Sequence, residues 1–272
     1  MTLAQPFPRA AAAPAPSSLT AASLSLLFVI GVGLTSCGRV PGQFEVLQNQ
    51  VPQAGCVIPA TAGNVYRGDG LLDLSLVQPG ATSAYFVFPL VKNSLPAASG
   101  DGPDGNEIDV KSFAVDIGPH PNGTLPPGVN ALFDDFNASP GSPNYALLHY
   151  SLPWAVTIAS GGGLAATFVG AFPVDLAARM LATGEVGASP STTLVNVRIR
   201  VFGSTNTQDI ESDPFDFPVY VCSGCLIANL APCPYSAPAR FNGNECNVAQ
   251  DNYVDCCSLN GALVCPPLVG GQ

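Results

Sequence analysis

Nine cysteines, nineteen carboxylates and two histidines carry most of the chemistry open to this 272-residue chain. Cys222-Ser-Gly-Cys225 has the spacing of half a tetrahedral zinc site, with Cys233, Cys246 or the adjacent pair Cys256-Cys257 as the other half. In an oxidising compartment the same sulfurs form disulfides instead. A thioredoxin-like redox role needs a helix N-terminus to depress a thiol pKa, and Leu226-Ile-Ala-Asn-Leu-Ala-Pro232 leaves little room for one. Asp101-Gly-Pro-Asp104-Gly105-Asn106-Glu107-Ile-Asp109 gathers the oxygen donors that hard Ca²⁺ selects, which makes Asp101, Asp104, Asn106, Glu107 and Asp109 candidate ligands. The spacing fits no EF-hand loop, and a solvated acidic turn between two strands is the competing reading.

Catalytic signatures are missing from the sequence. His120 sits between Pro119 and Pro121, and His149 lies in the apolar run Tyr145–Tyr150, where a hydrogen-bonded structural role suits it. Neither G-x-S-x-G nor H-E-x-x-H occurs. Asp134-Asp135, or Glu211 with Asp213 and Asp216, could form a carboxylate pair for glycoside hydrolysis, but proximity in sequence does not set the separation that mechanism requires. Ser160-Gly-Gly-Gly163 has neither a P-loop lysine nor the G-x-G-x-x-G pattern needed to cradle phosphate.

The N-terminus carries a different kind of signal. Leu24-Ser-Leu-Leu-Phe-Val-Ile-Gly-Val-Gly-Leu34 is a charge-free run; it is well short of the ~20 residues a membrane-spanning helix needs but has the length of a signal-peptide core. It ends in Leu34-Thr35-Ser36-Cys37, which resembles the lipobox of bacterial lipoproteins. The resemblance implies cleavage between Ser36 and Cys37, diacylglycerol on the Cys37 thiol and an acyl group on the new amine. Several chains together give the stable anchoring that one chain cannot. The segment ahead of the run departs from the usual pattern, being long, rich in Ala and Pro, and positive only at Arg9. By analogy with enteric lipoproteins, Gly38 after the cysteine points to the outer membrane.

Removal of residues 1–36 takes away one charge, Arg9, and moves the formal net charge from −10 to −11, which argues against nucleic acid as a partner. With 47% hydrophobic and 10% charged residues, the remainder can bury a substantial core. An odd cysteine count is awkward in an exported protein. Lipidation of Cys37 leaves Cys56, Cys222, Cys225, Cys233, Cys246, Cys256, Cys257 and Cys265, enough for four disulfides, although eight cysteines allow about 105 connectivities. Cys56 stands apart from the rest, and its expected bond into the C-terminal cluster closes a loop of over 160 residues.

Strand signals begin after Ala54 and follow the period-two rule. They cover Leu71–Val77, Ala84–Val91, Ile108–Ile117, Tyr145–Tyr150, a hairpin of Trp154–Ala159 and Leu164–Val169, then Leu194–Phe202 and Phe215–Val221. Val174–Ala182, with Pro173 before it and Gly184 after, is the one expected helix. Short strands with frequent Gly and Pro turns predict an all-β fold, an antiparallel β-sandwich of immunoglobulin-like or jelly-roll type. The expected organisation is a signal peptide (1–36), a lipidated N-terminus and tether (37–55), the sandwich (56–221) and a loop-dominated, disulfide-stapled segment (222–272). The order of strands followed by Cys-Ser-Gly-Cys-Leu and further cysteines also resembles cysteine-rich lipoproteins of myxobacteria and their relatives, which implies location and architecture but no activity.

The expectation is therefore an envelope lipoprotein, membrane-bound through lipid on Cys37, with a non-catalytic binding, adhesion or structural role toward a protein or glycan. Two alternatives stand beside it: a glycan-directed hydrolase and a Ca²⁺-dependent adhesin.

Overall fold

The computed structural model describes residues 42–97, 99, 104–188, 193–233 and 240–265. The signal-peptide segment, the lipobox Leu34–Cys37 and Asp101 lie outside them.

In chain order the strands are β1 (Phe44–Gln50), β2 (Tyr66–Arg67), β3 (Gly70–Asp73), β4 (Tyr85–Val87), β5 (Pro89–Asn93) and β6 (Ile108–Pro119). The short helices α1 (Pro127–Leu132) and α2 (Tyr145–Leu148) precede β7 (His149–Ile158), β8 (Gly163–Ala166) and β9 (Val169–Phe172). After α3 (Val174–Ala182) come β10 (Leu194–Ser204), β11 (Asp209–Glu211), β12 (Phe215–Cys222), β13 (Ile227–Pro232), β14 (Val254–Leu259) and β15 (Ala262–Val264).

Alternation dictates the central sheet. Val195, Val197, Ile199 and Val201 are fully buried on one face of β10, each adding roughly 2 kcal/mol, while Asn196, Arg198 and Arg200 take the other face, as period two requires. β10 lies between β6 and β12 in the order β3-β12-β10-β6-β7, with β11 on the end of β10. A second sheet runs β2-β1-β5-β8, and β4-β9 and β13-β14-β15 form smaller ones. One apolar core joins them, with Phe44 and Val91 from the second sheet, Phe113 and Phe217 from the first, Tyr85 and Phe172 from the ribbon, and Leu176 and Met180 from α3. The fold is all-β and disulfide-rich.

Several sequence expectations need correction. The tether assigned to 37–55 contains β1, an inner strand of the second sheet paired to β2 and β5. Polar Gln48-Asn49-Gln50 hides its alternation. Asn49 and Gln50 are nonetheless buried, because Asn49 Oδ1 accepts from Phe88 N at 2.6 Å and Gln50 Nε2 donates to Pro59 O at 2.8 Å. Hydrogen-bonded amides can be buried without the cost that unpaired ones carry. The segment 222–272 is rich in loops, as expected, but its described part also forms the sheet β13-β14-β15 and sends Leu226, Val248, Val254 and Cys256 into the common core, so no domain boundary falls at 221.

Tyr145–Leu148 is a helical turn rather than a strand, closed by Leu148 N donating to Asn144 O, and extended backbone starts only at His149. Additional helical turns accompany the single expected helix, α1 among them. Trp154–Ala159 and Leu164–Val169 do not form a hairpin. β7 stays against β6, whereas β8 crosses to β5, and Gly161 and Gly162, at φ +71° and +97°, turn the chain from one sheet to the other. The run Ala84–Val91 breaks at Phe88 into β4 and β5, which pair in different sheets. Leu71–Val77 ends as a strand at Asp73, whose carboxylate caps the 3₁₀ turn Leu74–Leu76. The expected all-antiparallel pairing fails twice, since β3 lies parallel to β12 and β13 parallel to β14. Strands brought together by long connections escape the antiparallel geometry that a tight hairpin imposes.

Candidate functional site

The cysteines identified in the sequence are joined as Cys56–Cys246, Cys222–Cys225, Cys233–Cys257 and Cys256–Cys265. Adjacent Cys256 and Cys257 reach different partners because successive side chains of a strand point to opposite faces, and together they fasten β14 to the chain beyond β13 and beyond β15. Cys37 lies outside the described residues.

Asp73, Cys222 and Cys225 are the one group of potential metal ligands found among the described residues, with donor atoms within 4.8 Å of one another. The two sulfurs are spent on each other. The Asp73 carboxylate accepts from Ser75 N and Oγ, Gly224 N and Leu226 N at 2.7–3.0 Å. It holds the Cys-Ser-Gly-Cys turn against the end of β3, with three of these bonds on Oδ1 and one, from Leu226 N, on Oδ2.

Among its described residues the acidic loop holds the carboxylates of Asp104 and Asp109 on separate partners. Asp101 is outside the described residues. Asp104 accepts from Asn106 N and Ser160 Oγ, Asn106 Nδ2 donates to Pro96 O, and Asp109 Oδ1 accepts from Thr157 Oγ1. Glu107 is exposed. These contacts close a turn and align β6 with β7.

Most of the proposed hydrolytic groups hold structural hydrogen bonds, while Asp134 is exposed. His149 Nδ1 lies 2.7 Å from Asp116 Oδ1 and its Nε2 lies 2.7 Å from Phe136 O, while the ring packs between Tyr145 and Phe136. Each ring nitrogen thus faces an oxygen acceptor of the fold. His120 Nδ1 accepts from Asn122 N. Arg200 pairs with both Asp116 and Glu211, and Arg198 with Asp216. Partial burial acts to raise the Asp216 pKa, but hydrogen bonds from Arg198 and Asn196 outweigh it and hold the carboxyl below its ordinary range. Asp135 and Asp213 accept from Asn144 N and Gly42 N. These groups organise loops and the outer face of the central sheet.

A cleft that the sequence did not reveal has the build of a binding site. It encloses about 630 Å³, within the range of small-molecule pockets. Its walls come from Val77–Ser83, from Phe86 and Phe88 around the break between β4 and β5, from Phe168 between β8 and β9, and from Glu245–Val248 with the Cys56–Cys246 disulfide. Phe86 and Phe168 meet edge to face, 5.8 Å apart at 81°, and Phe168 is 59% exposed at the mouth. Two of the polar side chains of the wall, Ser83 and Asn247, are bonded into the protein. Ser83 Oγ lies 2.8 Å from both Tyr85 O and Phe172 O and donates its one proton between them, and Asn247 Nδ2 donates to Ala84 O. Glu245 is the one charged residue among those lining the cleft, and its Oε2 accepts from Gly55 N at 3.3 Å.

Behind the cleft, residues 247–251 dock against the ends of the strands. Gln250 imitates a strand, accepting from Phe86 N and donating to Phe86 O. Asp251, at φ +66°, accepts from Leu71 N and from the hydroxyl of fully buried Tyr85. Burial pushes the Asp251 carboxyl above its ordinary value, against the hydrogen bond from Leu71, nearby Arg67 and the hydroxyl of Tyr85. Burial likewise raises Tyr85, helped by the Asp251 charge.

A carboxyl with a raised folded pKa binds its proton more tightly in the fold than in the unfolded chain. Its effect on stability is absent below the ordinary carboxylate range and becomes a growing loss as pH rises through the folded value. Between pH ~3.5 and ~6.5, the melting temperature of Asp251→Asn measured against the native chain is therefore expected to shift in favour of the variant. A constant difference across that range would contradict the assignment.

No protein-family model, no curated protein and no solved structure matches this chain.

Proposed function

We propose that this chain is an exported lipoprotein of the bacterial envelope, held to the membrane, in the outer membrane by analogy, through lipid on Cys37, and that its folded part is a non-catalytic binding module taking a small, largely apolar ligand. The cleft of about 630 Å³ carries the binding reading, with three phenylalanines at its lining and with Ser83 and Asn247 bonded to backbone carbonyls. Cysteine parity supports the anchor: four disulfides use eight cysteines and leave Cys37 as the ninth. Among the described residues no helix is long and apolar enough to cross a membrane.

Two measurements test the two halves. Labelled palmitate is expected to enter the native chain and not Cys37→Ala; equal labelling of both sinks the anchor. The full chain in lipid nanodiscs is expected to take up the neutral fluorophore Nile red saturably above the level of empty discs. Phe168→Ala should weaken that uptake roughly tenfold, the scale of losing one large buried apolar contact. Uptake no greater than that of empty discs, or unchanged by the substitution, would remove the binding reading.

A further inference from the structure

Resting on the binding reading above, we infer that the cleft selects an organic cation, a small molecule with an ammonium group on an apolar or aromatic body. The charge inventory of the wall is one-sided. Glu245 is exposed and lies beside the disulfide, and neither lysine, arginine nor histidine is among the residues lining the cleft. An anionic ligand would find no counter-charge. A neutral ligand covering the mouth would strip water from the Glu245 carboxylate and return nothing for it, which is costly. An ammonium group offsets that loss by pairing with the carboxylate.

The rings favour the same ligand. Phe86, Phe88 and Phe168 line the space, and aromatic faces attract cations through their quadrupole. The perpendicular placement of Phe86 against Phe168 turns their two faces in different directions. A group with positive charge on one end and hydrocarbon on the other can then use both ring and carboxylate. Ser83 and Asn247 have committed donors to backbone carbonyls, leaving the neutral polar side chains Gln78 and Thr82 to complete the lining. At longer range the chain's formal charge of −10 enriches cations near its surface.

Three probes of similar size and different charge decide the matter: 2-phenylethylammonium, 2-phenylethanol and phenylacetate. Each is titrated calorimetrically into the full chain in nanodiscs of neutral lipid. The ammonium is expected to bind at least about tenfold more tightly than the alcohol, the step that about 1.4 kcal/mol of pairing and cation–π attraction gives, with phenylacetate weakest. Glu245→Gln keeps an acceptor for Gly55 N and should bring the three probes to within about twofold of one another. Phe168→Leu keeps apolar bulk without the ring and should weaken the ammonium more than the alcohol. Equal affinities in the native chain, preference for phenylacetate, or a cation preference that survives Glu245→Gln would overturn the inference. Nile red uptake without charge preference would overturn this inference alone, whereas loss of both would remove the binding reading with it.

Discussion

Replacing Cys56 and Cys246 together by alanine is expected to cost about 5 kcal/mol of folding stability, the largest effect of any of the four disulfides. The bond joins residues 190 positions apart, and in the chain-entropy model a cross-link restrains the unfolded chain more the longer the loop it closes. The separations of the others are 24, 9 and 3 residues. Pairwise removal should therefore rank in that order, down to about 2 kcal/mol for Cys222–Cys225. Denaturant unfolding of the four double variants under oxidising conditions measures the series. If removing Cys56–Cys246 costs no more than removing Cys222–Cys225, loop closure is not what this bond contributes. The same double substitution takes away one wall of the cleft, so ligand uptake should fall even where the variant remains folded.

Gly70→Ala should be nearly as damaging, at about 3 kcal/mol, the upper end of overpacking losses. A methyl group at residue 70 would stand 2.2 Å from Tyr85 Oη and 2.6 Å from Cζ, with Phe217 at 3.0 Å. Tyr85 cannot swing away, because its ring is fully buried and its hydroxyl is bonded to Asp251. β3 would have to part from β12 instead, across the parallel pairing that begins at Gly70 and Val219. Adding Tyr85→Phe to Gly70→Ala removes the atom struck first and should restore part of the loss. If the double variant is simply as unstable as the sum of the two changes, the clash is elsewhere.

Both results depend on features of unequal legibility in the sequence. β6, β10, β12 and α3 could be read directly, since each turns one apolar stripe toward the core at the period of its own backbone. β1 could not, because three of its seven residues are amides whose burial depends on partners far along the chain, such as Phe88 N for Asn49. The C-terminal sheet was concealed by short strands, whose apolar content seemed too small for a core until it joined one built by residues 44–221. The acidic loop and the histidines drew attention because their residue types can do chemistry. In the fold they fasten strands and loops. The cleft gave no local signal, since Cys56, Phe86, Phe168 and Glu245 are brought together by sheet topology and one long-range bond. Gly70 likewise looks like an ordinary turn glycine until Tyr85 is seen against it.

The Cys56–Cys246 link also makes most of the chain a covalent ring. A protease that cuts once at any point between these two cysteines leaves both fragments attached, and the nicked molecule runs as one species until it is reduced. Such a molecule can lose the continuity of a loop without shedding the piece that carries Phe168.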